Sequence, residues 1–357
     1  MNEKRINRAI ENLKKLDLTQ MLVTDPMSIY YFTGVYVQPY ERFFAFYINA
    51  EGENVLFLNK LFVVPEVPIR TVVLTDTDNV ISAIEGEIDK DRILGVDKNI
   101  EARFLLPLID DKAAAGFKNG SLAIDLTRGV KDEDEIKLMR KASEINDAAM
   151  AQFKGLIHDG VTELEVADKM LGIYKSLGAE GYSFEPIVSF GANAADPHHE
   201  PDNTVIKEGD CVLFDVGCKY KGYCSDMTRT FYYKTVSDHA RQIYELTLKA
   251  NLAAEALISP KARLCELDKA ARDLITEGGY GEEFNHRLGH FIGLKEHEYG
   301  DVSSAYDWQL LPGMIFSIEP GIYLSGDTGV RIEDLNLVTP DGVETLNHYP
   351  KELQLIY

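Results

Sequence analysis

Residues 211–233 read CVLFDVGCKYKGYCSDMTRTFYY, and residues 314–338 read MIFSIEPGIYLSGDTGVRIEDLNLV. Each stretch is a pair of apolar, β-rich runs around a polar turn, so each predicts a hairpin. Each arm carries one acid: Asp215 and Asp226 in the first, Glu319 and Glu333 in the second. The midpoint of 215 and 226 falls between Tyr220 and Lys221, inside KYKG. The midpoint of 319 and 333 is Gly326, inside SGDTG. Hairpins folded symmetrically there set each pair of acids face to face, with Cβ atoms ~4.5–5.5 Å apart. Like charges so placed destabilise a sheet unless a cation or a raised pKa compensates. Four hard oxygen donors suit divalent metals, and two metals bridged by carboxylates would cancel the repulsion and activate water.

Working outward, the second hairpin is preceded by FNHRLGHFIGLKEHE. Of the eight histidines, five lie at 198, 199, 286, 290 and 297, near the acids in sequence. His286 and His290 are four apart, but the glycines and aromatics around them predict an extended or turning segment. One imidazole as ligand, with others placed for proton transfer or oxyanion contact, is a reasonable division of labour. His198 and His199 follow a Gly/Asn/Asp/Pro-rich loop, where functional groups concentrate. His199 reads equally well as a solvated loop residue.

Helical periodicity marks Asp132 to His158, a segment opened by Thr162 with Glu165 and ending at Gly178, Ser237 to Ile258, and Leu264 to Glu277. Helices followed by an acid-bearing hairpin thus occur twice, and the mixture predicts an α+β fold for residues 132–357. Residues 1–126 mix an N-terminal helix, with Ile6, Ile10 and Leu13 on one stripe, with short strands near 43–48, 55–58 and 72–74. They read as a smaller α/β domain, with the boundary in the polar stretch DLTRGVKD. A length of 357 residues fits two domains at ~100–200 residues each.

The formal charge of −21 disfavours a nucleic-acid partner. No run approaches ~18 apolar residues, so no membrane span is expected. The charged N-terminus lacks the apolar core of a secretory signal, and four cysteines in a chain this long are no disulfide framework. A cytoplasmic protein with reduced thiols is the expectation. The cysteines show no C-x-x-C pair, so a thiolate zinc site is not expected. Phosphate-cradle, nucleophile-elbow and H-E-x-x-H strings are absent.

Taken together, PIVSFGANAADPHHEPDN, LFDVGCKYKGYCSDMTRTF, GHFIGLKEHE, GMIFSIEPGIY and GVRIEDLNLVTPDG resemble the pita-bread metallopeptidases, specifically proline dipeptidase (prolidase) and aminopeptidase P. In the first domain, MLVTDPMSIYYFTG resembles the start of that family's creatinase-like N-terminal domain. The resemblance implies a C-terminal pita-bread catalytic domain and cleavage of small Xaa-Pro peptides. It implies two divalent ions, with manganese first and cobalt, zinc or iron as options, and a homodimer. By the same resemblance Asp215 would chelate one ion, Asp226 and Glu333 would bridge both, and His290 and Glu319 would complete the shells. His198 and His297 would contact substrate, and His286 would line the pocket. Arg331 would support Glu333, and Glu319 would also carry the proton to the leaving nitrogen. The chain departs from the family at Asp196, in Ala195-Asp196-Pro197-His198, and at Phe291, where a glycine commonly follows the ligand histidine. Phe291 is expected to reshape the pocket wall. Alternative readings are an Xaa-Pro aminopeptidase acting on longer peptides, a creatinase-like hydrolase, and a non-catalytic binding module.

Overall fold

The computed structural model describes residues 2–357, which form two compact units that divide between Arg128 and Gly129. In the first unit, α1 (Glu3–Lys15) is capped by Asn2 and buries Ile6, Ala9 and Leu13. α2 (Pro26–Thr33) opens with Asp25 as its cap and Pro26 in its first turn, a placement that wastes no N–H. The unit has six strands, one before α2 and five after it: β1 (Gln20–Val23), β2 (Ala45–Asn49), β3 (Val55–Asn59), β4 (Arg70–Leu74), β5 (Ile93–Val96) and β6 (Gly116–Asn119). They form one mixed sheet in the order β4-β3-β2-β1-β5-β6. Helices α3 (Val80–Glu85), α4 (Ala102–Asp110) and α5 (Ser121–Gly129) connect or follow the later strands. The core includes Leu22, Phe43, Tyr47, Phe57, Ile84 and Leu94.

The second unit repeats one plan. α6 (Glu133–Lys154) and α7 (Glu163–Ser176) both begin with a complete capping box, on Asp132 and Thr162. They pack on a sheet of β8 (Ile187–Phe190), β9 (Cys211–Val216) and β12 (Met227–Tyr233) through Phe153, Met170, Tyr174, Phe214 and Phe231. β7 (Gly181–Tyr182), β10 (Cys218–Tyr220) and β11 (Tyr223–Cys224) form a small sheet beside it. α8 (Asp238–Glu255) and α9 (Leu264–Glu277) then pack on a second antiparallel sheet. Its strands are β13 (Gly289–Phe291), β14 (Glu298–Val302), β15 (Ile315–Ile318), β18 (Asp334–Thr339) and β19 (Gly342–Thr345). The hairpin of β16 (Gly321–Leu324) and β17 (Thr328–Arg331) continues from β15, and β20 (Leu355–Ile356) edges the first sheet.

The second acid hairpin has the expected register. Ile318 opposes Asp334 and Gly321 opposes Arg331, so Glu319 falls opposite Glu333 and Gly326 is the centre. The first hairpin does not. Asp215 opposes Thr228, and Lys219 opposes Cys224. The turn is centred one residue later, on Lys221 and Gly222, whose φ values are +48° and +82°. Positive φ at both central residues is what a two-residue turn between right-twisted strands requires, and Gly222 supplies it without strain. The pairing therefore slips by two, so Asp226 is diagonal to Asp215 rather than facing it. A slip of two preserves the side-chain face, since the period of a strand is two.

The strand expected over 223–233 breaks at Ser225-Asp226, and the one over 330–338 breaks at Ile332-Glu333. Glu319-Pro320 lies in a third break. Three of the four acids thus sit where the backbone passes from one sheet to the next. Among the described residues no helix is long and apolar enough to cross a membrane.

Candidate metal centre

Asp215, Asp226, His290, Glu319 and Glu333 line one cleft of about 870 Å³ in the second unit. β9 brings Asp215, the break before β12 brings Asp226, and β13 brings His290. The breaks after β15 and before β18 bring Glu319 and Glu333. One ligand atom each of Asp226, His290 and Glu333 lies within 4.8 Å of the others. All three of these side chains are buried.

Burial, followed by the charges of Glu333, Asp215 and Glu319, pushes the Asp226 carboxyl well above its ordinary range. Burial, then Glu319 and Asp215, does the same to Glu333. Glu319 is pushed up to about 7, first by burial and, among the neighbours that raise it, by Asp215. His290 is held neutral, because burial and then His297 disfavour its charged form. Its Nδ1 lies 3.2 Å from the Phe291 carbonyl, which can only accept, so Nδ1 carries the proton and Nε2 keeps its lone pair. That Nε2 stands 3.5 Å from both Asp226 Oδ2 and Glu319 Oε1, too far for good hydrogen bonds.

The donor set fits divalent cations on a direct observation. Asp215 Oδ1, Asp226 Oδ1 and Glu333 Oε1 are all buried with no hydrogen-bond partner. Leaving several buried carboxylate oxygens unpaired is costly unless a cation satisfies them. Hard oxygens with one imidazole are the donors that first-row divalent ions accept.

The remaining partners of the acids are fixed by neutral and cationic groups. Arg331 donates Nη2 to Asp215 Oδ2 at 2.7 Å, Nη1 to the Tyr323 hydroxyl at 3.0 Å and Nε to Thr228 Oγ1 at 3.2 Å. Thr228 in turn donates to Glu333 Oε2 at 2.7 Å. Arg331 therefore reaches Glu333 only through Thr228, and its direct carboxylate partner is Asp215. Ser317 donates to Glu319 at 3.1 Å. From α8, Asn251 donates to the carbonyls of Ile318 and Ile332, the residues just before the two opposed glutamates. The buried Arg229 holds the Glu333 carbonyl at 2.6 Å and Asp334 at 2.7 Å. Thr228, Tyr323, Ser317, Asn251 and Arg229 gave no sequence signal of their own, because their roles depend on which distant strand they meet.

The other expected histidines are divided. His198 and His297 are exposed in the cleft, and the His297 ring stands edge-on to His290 with centroids 4.2 Å apart. The cleft walls desolvate the inner part of the His297 ring, and this, followed by the Arg287 charge, lowers its pKa. His286 lines the same cleft, with Nδ1 2.7 Å from the Arg287 carbonyl and Nε2 2.9 Å from Tyr323 Oη. Burial and then Arg331 lower its pKa to about 4, so it stays neutral. His199 is no solvated loop residue: its Nε2 is 2.7 Å from the buried Glu163. Phe291 does not form the pocket wall. It turns into the core against Phe316, at a centroid distance of 5.7 Å. Gly300 makes room for it, since a Cβ there would meet the Phe291 ring at 2.6 Å.

The sequence profile of metallopeptidase family M24 matches residues 137–340, and that of the creatinase/prolidase N-terminal domain matches residues 5–130. An uncharacterized peptidase of Staphylococcus aureus is 40% identical over 97% of this chain and 99% of its own length. The crystal structure of dipeptidase PepE from Mycobacterium ulcerans is similar at a TM-score of 0.93 and 29% identity, covering 99% of this chain and 97% of that one. Prolidase from Thermococcus sibiricus is similar at a TM-score of 0.89 and 32% identity, covering 99% of both chains. The two units are thus a creatinase-like N-terminal domain and a pita-bread catalytic domain, and the chain belongs to metallopeptidase family M24.

Proposed function

We propose that this peptidase hydrolyses Xaa-Pro bonds, with Xaa-Pro dipeptides as preferred substrates. Residues 132–357 carry the chemistry, and residues 1–126 form the N-terminal domain. Two divalent ions, manganese before cobalt, zinc or iron, are held by Asp215, Asp226, His290, Glu319 and Glu333. The observation that carries this reading is the set of three buried, unpartnered carboxylate oxygens in one cleft with a neutral imidazole. Likeness to a prolidase along nearly the whole chain supports the substrate class.

Bound there, such ions supply Lewis acidity and lower the pKa of water. The protein side chains do the rest. Water oxygen adds to the carbonyl carbon before proline. Glu319 receives its proton and passes it to the prolyl nitrogen as the C–N bond breaks. His198 and His297 contact the oxyanion from two separate loops. His286 stays neutral and locked by Tyr323, shaping the wall that receives the ring. Arg331 keeps Asp215 oriented. A proline amide has no N–H, so the site must recognise shape rather than that donor. Four free cysteines, three of them buried, suit a cytoplasmic enzyme, and the resemblance to prolidases supports a homodimer.

The second reading is an Xaa-Pro aminopeptidase. Its support is the cleft volume, about 870 Å³, near the top of the ~300–1,000 Å³ typical of small-ligand pockets. That leaves room for residues beyond proline. The test is hydrolysis of Ala-Pro, Ala-Pro-Gly and Ala-Ala after chelation and add-back of each metal. We expect Ala-Pro to be cut fastest, and only with metal restored. Activity that survives complete chelation removes the metal assignment. Ala-Ala cut as fast as Ala-Pro removes the proline assignment, and preference for the tripeptide selects the aminopeptidase.

A further inference from the structure

His198 belongs to a segment with little regular structure. After β8 the chain makes a 3₁₀ turn over Gly191–Ala195, then runs irregularly until β9 begins at Cys211. Pro197, His198, His199, Glu200 and Pro201 from this segment line the cleft. Loops of this kind are mobile unless something ties them down.

Ala194 of this segment is buried in the core, and the Glu163 and Leu164 amides donate to the Thr204 and Asp202 carbonyls. Beyond these, one carboxylate bonds to four points along it. Glu163, the first residue of α7, has a fully buried side chain. Its Oε1 accepts from the Phe190 amide at 2.6 Å and from Asn193 Nδ2 at 3.0 Å. Its Oε2 faces His199 Nε2 at 2.7 Å and accepts from the Asp202 amide at 3.1 Å. The partners come from the start, the turn, the middle and the end of one segment. His199, half-buried at the cleft edge, meets Glu163 through Nε2, while its neighbour His198 is exposed in the cleft.

Glu163, His199 and Asp202 have the composition of a cation site. The bonding argues against one. Each oxygen of Glu163 already faces two N–H groups, so a cation would have to displace four hydrogen bonds. No oxygen of Glu163 is left unpartnered, unlike those of Asp215, Asp226 and Glu333. A buried carboxylate so fully bonded acts as a structural tie.

We propose that Glu163 is a positioning residue for the peptidase reaction: it gathers residues 190–202 and so fixes where His198 meets the substrate. The catalytic part of this inference rests on the role given to His198 above. The tie itself does not.

The test compares full-length, metal-loaded wild type with Glu163→Gln, His198→Ala and the double variant. Glu163→Gln keeps the volume and one acceptor but presents an NH₂ group to N–H donors. Loss of kcat/KM by ~10–100-fold, with metal content unchanged, is expected for Glu163→Gln, the range typical of lost orientation. In the His198→Ala background the same change should cost less than ~3-fold, because the group it positions is gone. Glu163→Asp, which keeps the charge, should recover part of the loss. Amide hydrogen exchange, read without substrate, should speed up across residues 190–202 in Glu163→Gln, while α6 stays as in wild type. Equal losses in both backgrounds, or unchanged exchange in 190–202, would overturn the proposal. The kinetic cycle uses whichever peptide the wild type hydrolyses. Failure to cut prolyl peptides therefore counts against the substrate assignment alone, while the exchange result decides the tie.

Discussion

Arg331 Nη2 and Asp215 Oδ2 are 2.7 Å apart, and the other oxygen of that carboxylate, Oδ1, is buried without a hydrogen-bond partner. One lone-pair set is spent on a fixed cation of the protein, and the other is left for something else. Arg331 is itself fully committed, with Tyr323 and Thr228 on its remaining faces. Replacing it with Met removes three hydrogen bonds and leaves Asp215 uncompensated in the interior. We expect Arg331→Met to lower metal affinity or kcat/KM by ~10–100-fold, as loss of an orienting partner does. Arg331→Lys should recover little, because an ammonium cannot reproduce the planar fork. Metal titration beside kcat/KM checks this. Wild-type values for Arg331→Met would show that Asp215 needs no such partner.

Thr228 is the relay between Arg331 and Glu333, accepting from one at 3.2 Å and donating to the other at 2.7 Å. Thr228→Val keeps the volume and the β-branched shape but removes the hydroxyl. The expected cost is ~1–3 kcal/mol of stability, because buried polar groups on both sides lose their partner. Thr228→Ser, which restores the hydroxyl, should recover most of it. Chemical denaturation of the three proteins measures the difference, and equal midpoints for wild type and Thr228→Val would remove the relay.

How much of this was legible beforehand depends on the kind of interaction. The acids stood out because four of them interrupt apolar β-rich runs at symmetric distances from turns. Glu319 and Glu333 are opposed as their spacing predicts, since β15 through β18 keep one register around Gly326. Asp215 and Asp226 missed by two residues, because Lys221 and Gly222 take the turn in place of Tyr220 and Lys221. The face of the sheet is unchanged, since an even slip leaves parity intact. Thr228, Asn251 and Glu163 were illegible for a different reason. Each is an ordinary residue in an ordinary helix or strand, and only long-range folding decides whose oxygen it meets. Phe291 lies in the core and not in the pocket wall because Gly300, nine residues away on the neighbouring strand, leaves room for its ring.

Asn251 on α8 ties both halves of the second acid hairpin, donating to the Ile318 carbonyl at 3.0 Å and the Ile332 carbonyl at 3.2 Å. It is fully buried, and its oxygen accepts from Lys351 at 3.0 Å. Asn251→Leu keeps the size but strands those partners. A loss of ~2–4 kcal/mol is expected, the sum of roughly two buried unsatisfied groups. Because Glu319 and Glu333 follow the two clamped carbonyls directly, metal affinity should fall with stability. A variant that loses stability but binds metal normally would show that the strands hold their register without the clamp.

The crowding of the acids makes the stability of the metal-free protein depend on pH in a definite direction. Glu319 is pushed from its ordinary 4.5 up to about 7, chiefly by burial, and Asp226 and Glu333 are raised as well. A carboxyl group with a raised folded-state pKa binds its proton more tightly in the native state than in the unfolded chain. Below about pH 4 both states are protonated and the group has no effect on stability. As pH climbs from about 4.5 to about 7, the unfolded chain ionises first and the native state loses stability through Glu319. Above that window the loss is complete. Cations remove the penalty by satisfying the charge, so the rise in melting temperature on adding manganese should grow from pH 5 to pH 8. Glu319→Gln isolates the effect. With metal stripped, it should melt above stripped wild type at pH 8, and the gap should close toward pH 4.5. Differential scanning calorimetry of both proteins after chelation, across pH 4.5–8, measures the gap. Stripped Glu319→Gln melting at or below stripped wild type at pH 8 would mean that Glu319 carries no unfavourable charge in the metal-free fold.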